Sequence, residues 1–212
     1  MRVKICGITR REDAEAAVEA GAAALGFIFV PSSRRFIAPA DAGTIVRSLA
    51  PLVTTVGVFA DTPRDEVLSA IRKSGISCLQ FHGNESPDDL DGYPVPAYKA
   101  FRVRAEFDAG TLAIYPGPAY LLDTFVEGEP GGTGRTFDWQ AAVRAKQFGH
   151  IILAGGLTSE NVSEAIRTVG PYAIDVSSGV EESPGVKSRE KIRALFEAVN
   201  GAEGGVRRIA RD

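Results

Sequence analysis

Short runs of Val, Ile, Leu and Phe alternate with segments of helical periodicity along almost the whole chain. The runs stand near Arg2–Cys6, Ala24–Phe29, Thr54–Phe59, Ser77–Phe81, Ala97–Phe101, Tyr120–Asp123, Ile151–Ala154 and Ala173–Val176. Their continuous apolarity suits parallel strands covered on both faces, and about eight such strands close a barrel. Helix starts divide the chain in the same way. Thr9-Arg-Arg-Glu12 has the form of a capping box, and Thr62-Pro63 and Ser86-Pro87 each offer an N-cap followed by proline. Later helices are expected near Asp138, at Thr158 or Ser159, and at Ser188, ahead of the amphipathic run Lys191–Val199.

The pattern therefore predicts an α/β chain with one domain, a (β/α)8 TIM barrel over residues 1–200. Residues 201–212 show little periodicity and are expected to form a disordered tail. An open, doubly wound sheet would give the same alternation. It would gather polar groups at one switch point, whereas here they fall at the ends of many strands, as a site at a barrel mouth requires.

Composition narrows the ligand. A 212-residue chain with 44% apolar residues can bury one full core. A net charge of −3 and a pI near 5.5 argue against nucleic acid or an anionic membrane as partner. No apolar run approaches the roughly 20 residues needed to span a bilayer, and the N-terminus lacks a signal-peptide layout, so a cytoplasmic protein is expected. Cys6 and Cys78 are too few for a disulfide framework, and His82 and His150 show no metal-ligand spacing. A catalytic metal is not expected, and no obligatory protein partner is readable from the sequence.

Two neighbouring strand-to-turn segments, Ile151 to Thr158 and Ala173 to Gly179, carry the strongest chemical signal. Gly155, Gly156, Ser177, Ser178 and Gly179 would let backbone N–H groups approach an anion, so a small phosphorylated molecule is the expected ligand. Strand alternation then selects the inward side chains. With Val3 and Ile5 facing the helices, Lys4 and Cys6 face inward, as do Leu121, Asp123 and Asp175. An ionised Cys6 would serve as a base, helped by a nearby Lys4 ammonium, and a protonated Asp123 as an acid. Arg34 and Arg35 follow the second strand, where a guanidinium can grip a carboxylate through two hydrogen bonds. His82 ends the fourth strand at the rim, while His150 starts a strand at the opposite end. The glycine-rich stretch from Glu129 to Trp139 lacks the Lys-Ser/Thr ending of a nucleotide P-loop and suits a closing lid.

Lys4-Ile-Cys-Gly-Ile-Thr9, Ser33-Arg-Arg-Phe36, Leu79-Gln-Phe-His-Gly83, Leu121-Leu-Asp-Thr124, Ala154-Gly-Gly-Leu157 and Asp175-Val-Ser-Ser-Gly-Val-Glu181 stand in an order that closely resembles the phosphoribosylanthranilate isomerase family of tryptophan biosynthesis. The resemblance implies a cofactor-free Amadori rearrangement of a phosphoribosyl substrate, with Asp123 as general acid and Cys6 as general base. It also implies that Arg35 binds the anthranilate carboxylate, with Arg34 as local competitor. Gly155, Gly156, Ser177, Ser178 and Gly179 would hold the phosphate, and His82 and Asp175 would orient. A histidine-pathway or bifunctional phosphoribosyl isomerase would resemble a carboxylate pair more than Cys6 with Asp123. A metal-dependent epimerase would need clustered ligands. A phosphosugar-binding barrel without turnover would keep the cradle alone.

Overall fold

The computed structural model describes residues 1–104, 107–123 and 139–209, with side chains through Ala202. Eight strands close a parallel barrel in sequence order: β1 (Arg2–Cys6), β2 (Ala24–Ile28), β3 (Thr54–Phe59), β4 (Cys78–Phe81), β5 (Ala97–Arg102), β6 (Ala119–Asp123), β7 (His150–Ala154) and β8 (Ala173–Val176). The closing pair, β8 with β1, sets Lys4 opposite Asp175 and Val3 opposite Ile174. The predicted strands agree with these to within a residue at either end. Outside the barrel lie α1 (Arg11–Ala20), α2 (Pro39–Val46), α3 (Arg64–Ser74), α4 (Trp139–Ala145), α5 (Val162–Val169) and α6 (Arg189–Ile209). Short 3-10 turns, Pro87–Leu90 and Ala109–Ile114, stand where helices would otherwise follow β4 and β5.

Alternation along each strand makes two apolar layers. Val3, Ile5, Leu25, Phe27, Leu79, Phe81, Leu122, Leu153 and Ile174 face outward into the helix layer, the larger core. Val56, Tyr98, Ala100, Leu121 and Ala154 form a smaller cluster inside the barrel. Phe27, Phe59 and Phe81 are wholly enclosed, and each such burial contributes about 1.5–3 kcal/mol. The inner cluster leaves the barrel's axis to a few buried polar side chains, Lys4, Gln80 and Asp175 among them. These lie beneath the mouth formed by the strands' C-terminal ends.

The helix starts differ in detail from expectation. Thr9 does not cap α1; its hydroxyl donates to the Gly185 carbonyl, and α1 begins after Arg10 with no side-chain cap. Thr62 turns back to the Ala60 carbonyl, so α3 starts after Pro63. Ser86 forms a capping box with Asp89, but it opens a 3-10 turn rather than an α-helix. Asn161, not Thr158 or Ser159, immediately precedes α5. Ser188 does precede α6, and its hydroxyl accepts from the Lys191 N–H. Helix α6 runs to Ile209, past the Asn200 boundary read from the sequence, and residues 210–212 lie outside the described residues. No helix among the described residues is long and apolar enough to cross a membrane.

Candidate active site

Cys6 ends β1 with its thiol buried inside the mouth. Its space exists because Gly26 stands opposite it on β2: a Cβ there would lie 2.6 Å from Sγ and 3.1 Å from Lys4 Cε. Lys4 donates to Asp175 Oδ2 at 2.8 Å and to Gln80 Oε1 at 2.9 Å. Burial pushes the Cys6 thiol above its ordinary value, against the pull of the Lys4 ammonium. The ammonium therefore lies close, as the sequence suggested, yet desolvation dominates. Burial is the largest influence on Lys4 and opposes its charge, but attraction to Asp175, Cys6 and Tyr98 together outweighs it, so the net direction is upward and Lys4 is an ammonium ion.

Across the mouth, Asp123 ends β6 and is partly exposed. His82 sits just past β4 with Nε2 at 3.3 Å from Asp123 Oδ2. The imidazole's other nitrogen, Nδ1, lies 3.3 Å from Gln80 Nε2. Tyr98 on β5 donates to Gln80 Oε1 at 2.9 Å, so the amide oxygen accepts from two groups. Cys6, Lys4, Gln80, His82 and Asp123 thus form a continuous polar band under one opening.

Arg35 and Arg34 separate cleanly. Arg34 is exposed, whereas Arg35 folds against the mouth, where its Cδ would meet a Cβ on Gly7 at 2.7 Å. Glu181 accepts from Arg35 Nε and Nη2 at 2.7–3.1 Å, and Nη1 takes no part in that pairing. Glu181 opens a two-stranded antiparallel hairpin, β9 (Glu181–Ser183) with β10 (Val186–Lys187). From β10, the enclosed Lys187 ammonium donates to Glu181 at 2.7 Å, to the Cys6 carbonyl at 2.6 Å and to the Ser177 carbonyl at 3.2 Å. One ammonium therefore fastens the thiol strand, the turn after β8 and the carboxylate that aims Arg35.

The two glycine turns meet. Gly155 and Gly156 after β7 have φ of 93° and 58°, values that favour glycine. Gly179 after β8 lies so close that a Cβ there would stand 1.9 Å from the Leu157 carbonyl oxygen. Asn161 braces the first turn, accepting from Thr158 N–H and donating to the Gly156 carbonyl, both at 2.9 Å. Among the described residues, Ser177 Oγ, Asp175 Oδ1 and His82 Nε2 are buried without a hydrogen-bond partner, which is the state expected of groups that complete their bonding with a ligand. Ser178 is exposed beside Ser177.

A further buried pair supports the rim. Lys99 Nζ donates to the carbonyl of Gly83 at 2.8 Å, to that of Phe81 at 3.4 Å and to Glu85 Oε2 at 3.1 Å. Glu85 in turn accepts from the N–H groups of Asp61 and Gly83. The peptide links on both sides of His82 are held by this pair. The sequence reading passed over Gln80, Glu181, Lys187 and the Lys99–Glu85 pair. Inward alternation on β4 would have marked Gln80; the others act through turns and a hairpin that have no periodic signal. The expected lid, Glu129 to Trp139, lies outside the described residues apart from Trp139, which is buried at the start of α4. Among the described residues, no three His, Cys, Asp or Glu side chains converge as a metal-binding group.

Residues 3–198 match the family model described as N-(5'phosphoribosyl)anthranilate (PRA) isomerase. The N-(5'-phosphoribosyl)anthranilate isomerase of Pseudomonas syringae pv. syringae is 51% identical over 203 residues, covering 95% of this chain and 98% of the relative. The crystal structure of phosphoribosyl anthranilate isomerase from Thermus thermophilus superposes with a TM-score of 0.85 at 44% identity, covering 95% of this chain and 99% of that one. A phosphoribosyl anthranilate isomerase solved in complex with reduced 1-(o-carboxyphenylamino)-1-deoxyribulose 5-phosphate has a TM-score of 0.84 at 37% identity, with the same coverage.

Proposed function

This chain belongs to the N-(5'-phosphoribosyl)anthranilate isomerase family, and on that premise we propose that Asp123 and Cys6 are the acid and base of its Amadori rearrangement. The reaction converts N-(5-phosphoribosyl)anthranilate to 1-(2-carboxyphenylamino)-1-deoxyribulose 5-phosphate in tryptophan biosynthesis, in the cytoplasm. One observation carries the assignment: a buried thiol at the end of β1 and a carboxyl at the end of β6 face one mouth, with an arginine and two touching glycine turns around it.

Asp123, protonated, gives its proton to the ribose ring oxygen as the C1–O bond breaks. The anthranilate nitrogen's lone pair forms the C=N bond and takes up the positive charge as a protonated imine, which acidifies the neighbouring C2 hydrogen. Cys6, as thiolate, takes that proton, and the electron pair of the C–H bond neutralises the imine to an enolamine. Tautomerisation then yields the ketone. Burial disfavours the thiolate, and a cation formed beside it favours the thiolate by direct attraction. The thiolate is therefore favoured only after the acid has acted, which orders the two steps. General acid and base groups contribute on the order of 10² to 10⁴-fold each, so positioning of the substrate supplies much of the remainder.

Two anchors do the positioning. Arg35 Nη1 binds the anthranilate carboxylate, and Gly155, Gly156, Ser177, Ser178 and Gly179 bind the phosphate, with the unspent Ser177 hydroxyl as one donor. The reduced product held by the relative carries both groups, a carboxyphenylamino ring and a 5-phosphate. The test follows the fluorescence of freshly generated phosphoribosylanthranilate with purified protein in the presence of a metal chelator. Rapid loss of fluorescence is expected; no conversion, with binding of the reduced product intact, would leave a phosphosugar-binding barrel.

A further inference from the structure

The amide of Gln80 can face only one way. Lys4 Nζ, a donor with no lone pair, stands 2.9 Å from one end of the amide, and that end must be the carbonyl oxygen. Tyr98 Oη at 2.9 Å donates to the same oxygen. The NH₂ end, fixed by exclusion, lies 3.3 Å from His82 Nδ1. An NH₂ group only donates, so Nδ1 must present its lone pair, and the ring proton must sit on Nε2. That nitrogen is buried and lies 3.3 Å from Asp123 Oδ2, out of line for a hydrogen bond to it. Gln80 is buried and touches neither Cys6 nor Asp123 through any hydrogen bond, so its influence runs through the imidazole.

We propose that Gln80 is a positioning residue of this site: pinned by Lys4 and Tyr98, it holds His82 as the Nε2–H tautomer and thereby keeps an N–H, not a lone pair, beside Asp123. The consequence follows from what the other tautomer would do. An Nδ1–H imidazole would leave the Nε2 lone pair 3.3 Å from Asp123, an acceptor competing for the proton that the acid must deliver to the ribose oxygen. The Nε2–H form removes that competing acceptor and leaves a buried donor unspent beside the carboxyl. The polar band beneath the mouth is then a chain of fixed polarity that starts at the Lys4 ammonium, whose charge Asp175 stabilises. The catalytic consequence rests on Asp123 being the general acid; the tautomer itself does not.

The test is nitrogen NMR of the full chain with labelled histidine, using His150→Gln to assign the two rings, since His150 lies at the opposite mouth stacked on Tyr172. An unprotonated Nδ1 and a protonated Nε2 on His82 are expected; a protonated Nδ1 in the unsubstituted protein would overturn the proposal. Gln80→Glu keeps an acceptor for Lys4 and Tyr98 but turns the remaining atom into an acceptor as well. It should move a proton onto Nδ1 and lower kcat on the order of 10²-fold with KM little changed. An unaltered His82 signal in Gln80→Glu would equally overturn it. Asp123→Asn separates the two claims: if that variant turns over normally, the acid assignment fails while the tautomer measurement stands on its own.

Discussion

Gly26 is the residue that gives Cys6 its place: the thiol fills the position where any larger residue at 26 would put its Cβ, 2.6 Å from Sγ. The glycine is needed for space, not for an unusual backbone, because it sits mid-strand on β2.

Gly26→Ala should therefore displace the thiol and the Lys4 stem together. Misplacement of a reacting group by about 1 Å costs on the order of 10²-fold. Steady-state kinetics should show that loss in kcat with phosphate binding retained, and an unchanged kcat would mean that the thiol's position does not matter.

Lys4 pulls the Cys6 thiol down more strongly than Asp175 pushes it up, although burial outweighs both. Removing the pair as Lys4→Met/Asp175→Asn avoids leaving either charge unpaired in the barrel. The thiol of the double variant should titrate at higher pH than that of the parent. Ultraviolet thiolate absorbance followed against pH, in a Cys78→Ser background, reads this directly; titration at the same or lower pH would contradict it.

The Lys99–Glu85 pair is buried on both sides, with side chains 4% and 6% exposed. Lys99→Met leaves a carboxylate enclosed without its cation, a change that costs about 3–5 kcal/mol. For a chain of this size that corresponds to a fall in Tm of roughly 6–20 °C. Lys99→Met/Glu85→Gln should recover part of the loss, because the amide needs no countercharge. Thermal unfolding of both variants decides it, and a double variant less stable than the single would be the contrary result.

Burial raises the Glu181 carboxyl, but hydrogen bonds from Arg35 and Lys187 outweigh it, and the net direction is below the ordinary value of 4.5. A depressed folded-state value stabilises the fold above the unfolded value, and that stability is lost as pH falls through the folded one. Denaturant unfolding from neutral pH to below about pH 4 should show a steeper loss in the parent than in Glu181→Gln. Equal slopes would mean that Glu181 is not held by its partners in solution.

The barrel was legible because its evidence is periodic. Val3 and Ile5 against Lys4 and Cys6 already set one face to the helices and one to the axis, and the structure keeps that division. Touching glycine turns after β7 and β8 were likewise readable, since glycine marks a close backbone approach wherever it occurs. Capping was less legible. Thr9 had the right residue type and spacing, but tertiary contact with Gly185 gave its hydroxyl a better partner than the helix end. Glu181 and Lys187 were out of reach for a related reason: their roles depend on a hairpin that brings residue 187 back against the Cys6 carbonyl. No local pattern encodes that return. The net rise in the Cys6 thiol was also hidden, because neighbour charge can be guessed from Lys4 while burial is a property of the closed barrel.

The measurement that bears most directly on the acid–base assignment is turnover of phosphoribosylanthranilate by Cys6→Ser, alongside its affinity for the reduced product. A serine hydroxyl keeps the shape but is a far weaker acid, so it cannot supply the base. A fall in kcat of roughly 10²- to 10⁴-fold with product affinity retained is expected. Near-normal turnover would remove Cys6 from the mechanism.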